Sequence, residues 1–295
     1  MDNVLISAIT YDVVTVSGED SVSYLQGQLS QDLELIDVGA TKKSLLLTPQ
    51  GKLVALLRVL RDSENQLKIV VENGLGEDVI ARLKMFVLRV DVNFLLEKMQ
   101  GLAVRAQDES AVVSWLENNN LVDSEYLELP SLWNKFVGVD IFGIDGSNFP
   151  DLVSFDAMRI LANVPKSQAE LISSTIPAAA RIVTGSVSFD KGCYVGQELV
   201  ARIDSRGNNT PERLVSVSSV GPVMEMPDSF AGQDLLIFVD SQAVGRITSL
   251  EIFDSALIAL GYVKRSCKEI STAEIGFESD AETNIQVLVS EIKDV

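Results

Sequence analysis

Lys191-Gly192-Cys193-Tyr194-Val195-Gly196-Gln197-Glu198 is the stretch on which the reading of this chain turns. The 295 residues include two cysteines and no histidine, so reactive chemistry is easiest to place at this thiol. Glycines lie on both sides of Cys193, Lys191 precedes it, and a helix is expected from about Gly196. A thiol at a helix N-terminus meets unpaired backbone N–H groups and the positive end of the helix dipole. With a lysine nearby, that setting predicts a thiol pKa below the free value of about 8.5. The plainer alternative is that Cys193 is a small buried hydrophobe.

Working outward, Val13–Val16 reads as a strand, and Asp20 or Ser21 caps a helix carrying Val22, Leu25 and Leu29. Lys43–Leu47 and Leu53–Leu60 read as strands around a turn at Pro49-Gln50-Gly51, and Leu67–Val71 follows. Val79, Ile80, Leu83, Phe86 and Val87 have helical spacing. Val90–Leu95 and Leu102–Ala106 read as two further strands, and Ser110–Glu117 as a short helix. Hairpins alternating with helices predict ferredoxin-like α+β units rather than a doubly wound sheet. Helices are expected over Asp151–Ala162 and Gln168–Ser173. Past Pro211 the chain breaks into short β-rich pieces with turns at Gly221-Pro222, Asp240-Ser241 and Asp254-Ser255. Five or six such strands predict a small barrel.

The octapeptide, continued through Val200-Ala201-Arg202 to Arg206-Gly207, resembles the motif of the YgfZ/IBA57 family. Those are folate-binding relatives of the glycine-cleavage T-protein, an aminomethyltransferase. The likeness extends to Val16–Asp20 with Tyr24–Gln28, to Leu45–Lys52, and to Arg159-Ile160 with Val164-Pro165. It also covers Gly245–Ser249 and Ala259–Val263. The resemblance implies a T-protein-like α+β fold with ferredoxin-like α/β domains and a C-terminal β-barrel. Residues 1–49 and 133–210 would form a discontinuous folate-binding domain, 50–132 an inserted α+β domain, and 211–295 the barrel domain.

The function implied is that of an accessory protein in assembly or repair of iron–sulfur enzymes, with an indirect effect on tRNA modification. Cys193 would be its reactive or transiently ligating thiol. Lys191, Arg202 and Arg206 lie close together in sequence and could form a basic island for the anionic tail of a weakly bound reduced folate such as tetrahydrofolate. Tyr194 would stack on the folate and Gln197 hydrogen-bond to it; equally, Tyr194 could pack in a core and Gln197 line the first helical turn. Partners expected are the folate and iron–sulfur client enzymes, with no direct nucleic acid and no membrane, and the protein is expected to be a monomer. Trp115, Trp133 and Cys267 are read as packing residues.

Composition excludes several other classes. Without histidine there is no Ser-His-Asp or Cys-His pair, no His-bound zinc and no His-ligated haem. Two cysteines make no disulfide framework and cannot alone ligate an iron–sulfur cluster, so a colourless, metal-free protein is expected. A net charge of −18 disfavours broad nucleic-acid or anionic-membrane binding. Met1-Asp2-Asn3 reads as neither a signal nor a transit peptide, which predicts a cytoplasmic protein. No dinucleotide or P-loop fingerprint is present.

The chain departs from its relatives where the T-protein keeps acids. The catalytic Asp pair of the T-protein hairpin falls near Ala55 and Leu56, which can neither accept a proton nor hold an amine. The Glu that contacts pterin is replaced by Leu161, a Gly by Asn163, and a Gln-Glu pair by Ala178-Ala179. An aminomethyl transferase and a non-catalytic interaction protein that kept the fold are the two alternative readings.

Overall fold

A computed structural model gives residues 4–122, 126–150, 152–207, 209–225, 234–267, 269–277 and 280–292. Met1, Asp2, Asn3 and Asp151, which entered the sequence reading, lie outside these described residues. Two compact units emerge, Met1–Phe155 with Thr184–Ala201, and Asp156–Val183 with Arg202–Val295.

The first unit is built on strands β1 (Leu5–Ser17), β2 (Thr41–Leu47), β3 (Leu53–Ser63), β4 (Gln66–Glu72), β5 (Asn93–Ala106), β6 (Leu127–Pro130) and β7 (Val137–Phe142). They form one antiparallel sheet in the order β2-β3-β4-β1-β5-β7-β6. The boundary expected at 49/50 falls in the turn of the β2–β3 hairpin, whose strands pair from Thr41↔Leu60 to Leu47↔Leu53. Helices α1 (Ser21–Gln26) and α2 (Gly76–Lys84) cover one apolar cluster that includes Val14, Leu25, Leu29, Leu57, Ile69 and Leu83. Helix α3 (Glu109–Asn118) covers a second, with Ile6, Leu102, Val104, Val112 and Ile141. Asp108 caps α3, its carboxylate accepting the Ala111 N–H at 2.9 Å.

Several local expectations change. The two strands expected at 90–95 and 102–106 are one continuous β5, because it pairs with β1 along all of that strand's length. Helix α2 stops at Lys84 and leaves Phe86 exposed, whereas the spacing had carried its apolar face on to Val87. Asp20 does not cap α1; its carboxylate accepts the Asp91 N–H at 2.8 Å. Trp115 and Trp133 pack on Phe149 and Phe155, at ring separations of 5.8 and 5.7 Å.

Asp140 is the charged centre of this sheet. It is 1% exposed and is held by Arg105 at 2.5 Å and Arg58 at 2.7 Å. Burial alone raises its carboxyl, but the two guanidiniums outweigh that and hold it below the usual carboxylate range. A folded pKa below the unfolded one means that the folded state binds fewer protons between the two values. Stability from Asp140 is therefore fully present above the unfolded carboxyl pKa of about 4 and is lost as pH falls through the folded value. Unfolding free energy measured from neutral to acid pH should fall less steeply in Asp140→Asn than in the wild type.

The second unit holds most of helix α4 (Phe155–Leu161), the end of α5 (Gln197–Asp204) and the strands β8 (Glu212–Ser219), β9 (Leu236–Val239), β10 (Gln242–Phe253), β11 (Ala256–Lys264), β12 (Thr272–Phe277) and β13 (Asp280–Glu291). The six strands close into a barrel in the order β10-β11-β8-β13-β12-β9, around Val215, Val217, Ile237, Leu257, Ile275 and Val287. Asp240-Ser241 and Asp254-Ser255 make two-residue hairpin turns with φ of 48°, 62°, 49° and 60°. Positive φ at both central positions is the turn type whose twist matches paired strands. Gln168–Ser173 is not the expected helix: Gln168 has φ of 64° and the segment turns on itself, with its Glu170 carboxylate accepting the Lys166 N–H at 2.9 Å.

Candidate functional site

Helix α1, like any helix, leaves its last carbonyls without intrahelical partners. From far along the sequence the chain supplies one donor for the carbonyl of its last residue and for two more just beyond it. The Lys191 Nζ lies 2.6, 2.7 and 2.8 Å from the carbonyl oxygens of Gln26, Leu29 and Gln31. All three ammonium protons are thus donated to backbone, at a helix end where a cation is favoured. The Tyr194 ring lies 5.3 Å from the same nitrogen. Burial lowers the Lys191 ammonium to about 8, against the opposing charges of Asp32 and Glu34. Burial also pushes the Tyr194 hydroxyl up to about 12.

The strap is continued by backbone. Ser188 N–H donates to Ser30 O at 3.0 Å and Val195 N–H to Gly27 O at 3.2 Å. Ser30 Oγ donates to Ser186 O at 2.6 Å, and Gln31 Nε2 to Gly185 O at 3.0 Å. Gly196 has φ of 85°, and a Cβ on it would lie 2.5 Å from Thr48 O and 2.8 Å from Leu47 Cβ. Gly51 has φ of 74°, and its Cβ would lie 2.8 Å from Gly196 O. The glycines of two separate motifs are therefore required by one backbone-to-backbone contact.

On this strapped loop Cys193 is exposed. Helix α5 begins at Gln197, four residues later, beyond the first-turn reach of a helix dipole. Lys191, the other expected influence, points its ammonium at carbonyls instead. Neither feature that the sequence offered for activating the thiol is in place in this geometry. Gln197 Oε1 accepts the Tyr194 N–H at 3.1 Å, and Tyr194 is 9% exposed. The structure so brings Lys191, Cys193, Tyr194 and Gln197 into one loop. Arg202 stands exposed in the last turn of α5, within the second unit, and Arg206 is exposed just beyond it. Cys267 is half-buried and packs against the barrel core.

Of the positions where relatives keep polar groups, Ala55 is 2% exposed in the core under α1 and α2. Ala178 and Ala179 are buried, and the Ala179 carbonyl accepts the Leu214 N–H at 2.8 Å. Asn163 takes a φ of 64°, which explains how it fills a glycine position: Asn enters the left-handed region more readily than most residues.

A second constellation escaped the sequence reading. Glu170, 1% exposed, accepts from Arg159 Nη1 at 3.1 Å and from the Lys166 N–H at 2.9 Å. The Thr248 and Ser249 hydroxyls each donate to its other oxygen at 2.6 Å, and the Tyr262 hydroxyl donates to its backbone carbonyl at 2.9 Å. Arg159, Thr248-Ser249 and Tyr262 belong to three separate motifs noted in the sequence, and Glu170 is what they converge on. Reading 168–173 as a helix hid it. The signal was available: a lone acid among motifs that carried an unexplained Arg and two hydroxyls.

No family model matches the chain. It is 28% identical over 254 residues to the tRNA-modifying protein YgfZ of Enterobacter sp. strain 638, covering 78% of this chain and 75% of that one. It is 27% identical over 258 residues to the mitochondrial iron–sulfur cluster assembly factor IBA57 homologue of Coccidioides immitis, covering 74% of this chain and 60% of that one. In structure it is similar to the glycine cleavage system aminomethyltransferase T of Bartonella henselae, with a TM-score of 0.74 and 17% identity over 99% of this chain and 86% of that one. The fold is that of the T-protein, and motifs and relatives alike agree on one family, the YgfZ and IBA57 proteins.

Proposed function

We propose that the protein is an accessory factor for iron–sulfur proteins, acting in the cytoplasm, with tRNA modification affected through its clients. Its working group is the Cys193 thiol, reactive or transiently ligating. The carrying observation is that an exposed thiol sits on a loop held by three charge-assisted hydrogen bonds from Lys191 and by the Gly51–Gly196 contact. A packing cysteine would be buried, and a flexible linker would need no such strap. The relatives named for iron–sulfur cluster assembly and for tRNA modification support the same reading. Aminomethyl transfer is disfavoured because Ala55 and Leu56 offer no proton acceptor.

A reduced folate is the small molecule that the fold suggests, and the residues here suit it poorly. Lys191 is committed to backbone, Leu161 carries no acceptor, and Ala178 and Ala179 are buried without side-chain donors or acceptors. Each pterin group left unpaired in a buried site costs about 1–3 kcal/mol. The thiol reading needs no step on a folate. Calorimetry with tetrahydrofolate should give a dissociation constant of about 1 μM or weaker, about −8 kcal/mol at most. No heat at millimolar folate would favour the interaction-protein alternative.

Among the described residues no group of three or more Cys, Asp or Glu side chains could hold a metal, and no helix is long and apolar enough to cross a membrane. Client enzymes remain the proposed partners. Iodoacetamide at neutral pH should label Cys193 well before Cys267. Cys193→Ala should change stability by less than about 0.5 kcal/mol and fail to sustain iron–sulfur enzyme activity in cells that depend on this protein. Full complementation by that variant would overturn the proposal.

A further inference from the structure

In a chain of net charge −18, positive groups should be spread thin, yet three arginines share one pocket of the second unit. Arg181, Arg213 and Arg265 line an open cavity of about 350 Å³ together with Gly207, Asn209, Thr210, Glu212 and Glu291. Glu212 does not balance them, because both of its oxygens are taken by Arg246, at 2.6 and 3.0 Å. Glu291 does so only in part, with Arg213 Nε at 2.5 Å and Arg181 Nη2 at 3.5 Å. Arg265 forms no ion pair among the described residues; its backbone N–H donates to Pro211 O at 2.9 Å. Arg181 also keeps a buried Nε–H without an acceptor. Among the described residues, Glu291 is thus shared by Arg181 and Arg213, and Arg265 brings a further positive charge that no ion pair balances.

The Glu291 carboxylate shows what this geometry accepts: a small oxyanion bridging two guanidiniums. A phosphate group is a better match. It carries more charge and a third oxygen for Arg265, and guanidinium forks pair with phosphate oxygens in parallel bonds. Among the described residues no aromatic ring lines the pocket, so none of them would stack on a base. The net charge of the protein opposes a polyanion far more than a single phosphate. We propose that this pocket binds the phosphate group of a small phosphorylated molecule, through Arg181, Arg213 and Arg265, with Glu291 as an internal competitor.

The test uses the full chain and titrates inorganic phosphate, pyrophosphate and a mixed-sequence single-stranded RNA, at ionic strength matched with potassium chloride. Saturable calorimetric binding of phosphate and pyrophosphate is expected. Arg265→Ala should weaken it about tenfold or more, as loss of a charge-assisted contact. The variant's circular dichroism and melting without ligand report whether it is folded. Glu291→Gln should tighten binding several-fold, because it removes the competing charge but keeps the shape. No saturable binding beyond matched chloride, unchanged binding in Arg265→Ala, or weaker binding in Glu291→Gln would each overturn the proposal. RNA binding more tightly than pyrophosphate would overturn it too, by making the ligand a polynucleotide.

Discussion

Glu170→Ala is expected to destabilise the second unit by about 3–5 kcal/mol, the usual cost of removing one partner from a buried ion pair. The carboxylate is the acceptor for Arg159, Thr248, Ser249 and the Lys166 N–H at once. Its loss leaves a 3%-exposed guanidinium with, among the described residues, only Asp156 as counter-charge, and two hydroxyls without their short acceptor. Glu170→Gln should cost less, since a carboxamide oxygen still accepts from the hydroxyls while the charge is gone. Urea denaturation followed by circular dichroism measures both. A loss below about 1 kcal/mol for the Ala variant, the range of an ordinary surface change, would show that the network contributes little. A domain holds a margin of only about 5–15 kcal/mol, so this variant should also melt well below the wild type.

Lys191→Met should lower stability by about 2–4 kcal/mol. Three carbonyls lose charge-assisted partners, each worth about 1–3 kcal/mol when left unpaired, and water reaching this half-buried site recovers part of that. The methionine keeps the apolar stem, so the change isolates the ammonium. The loop around Cys193 should loosen with it, and alkylation of the thiol in the native protein should become faster and lose its single rate. Unchanged labelling together with unchanged stability would mean that the lysine is free in solution and that its three contacts do not hold the loop.

Much of the fold was legible because local rules decide it. The hairpin turns at Asp240-Ser241 and Asp254-Ser255 follow from residue types that enter left-handed backbone, and the barrel follows from the strands around them. Where tertiary partners decide, the pattern misled. Residues 93–106 form one strand because β1 offers a partner throughout, and 168–173 forms no helix because the segment wraps a buried carboxylate. The site was legible as a motif but not as a mechanism. Spacing placed Lys191 beside Cys193, while the contacts show it turned toward Gln26, Leu29 and Gln31, residues that no local rule connects to it. Arg202 was joined to the loop by sequence proximity alone, and the chain passes into the other compact unit between Ala201 and Arg202.

The strap also sets an order of events during synthesis. The acceptors of Lys191 precede it by 165, 162 and 160 residues. At translation speeds of about 5–20 residues per second, those carbonyls wait roughly 8–30 s for their donor. Only late in that interval, once Phe142 has been made, does the first unit have every strand of its sheet; it then still lacks Thr184–Ala201, and the cysteine does not yet exist. When Cys193 emerges, its docking surface is already complete, so the thiol can be seated as soon as it clears the ribosome. A nascent chain stalled before residue 184 would hold every strand of the sheet and none of the reactive loop.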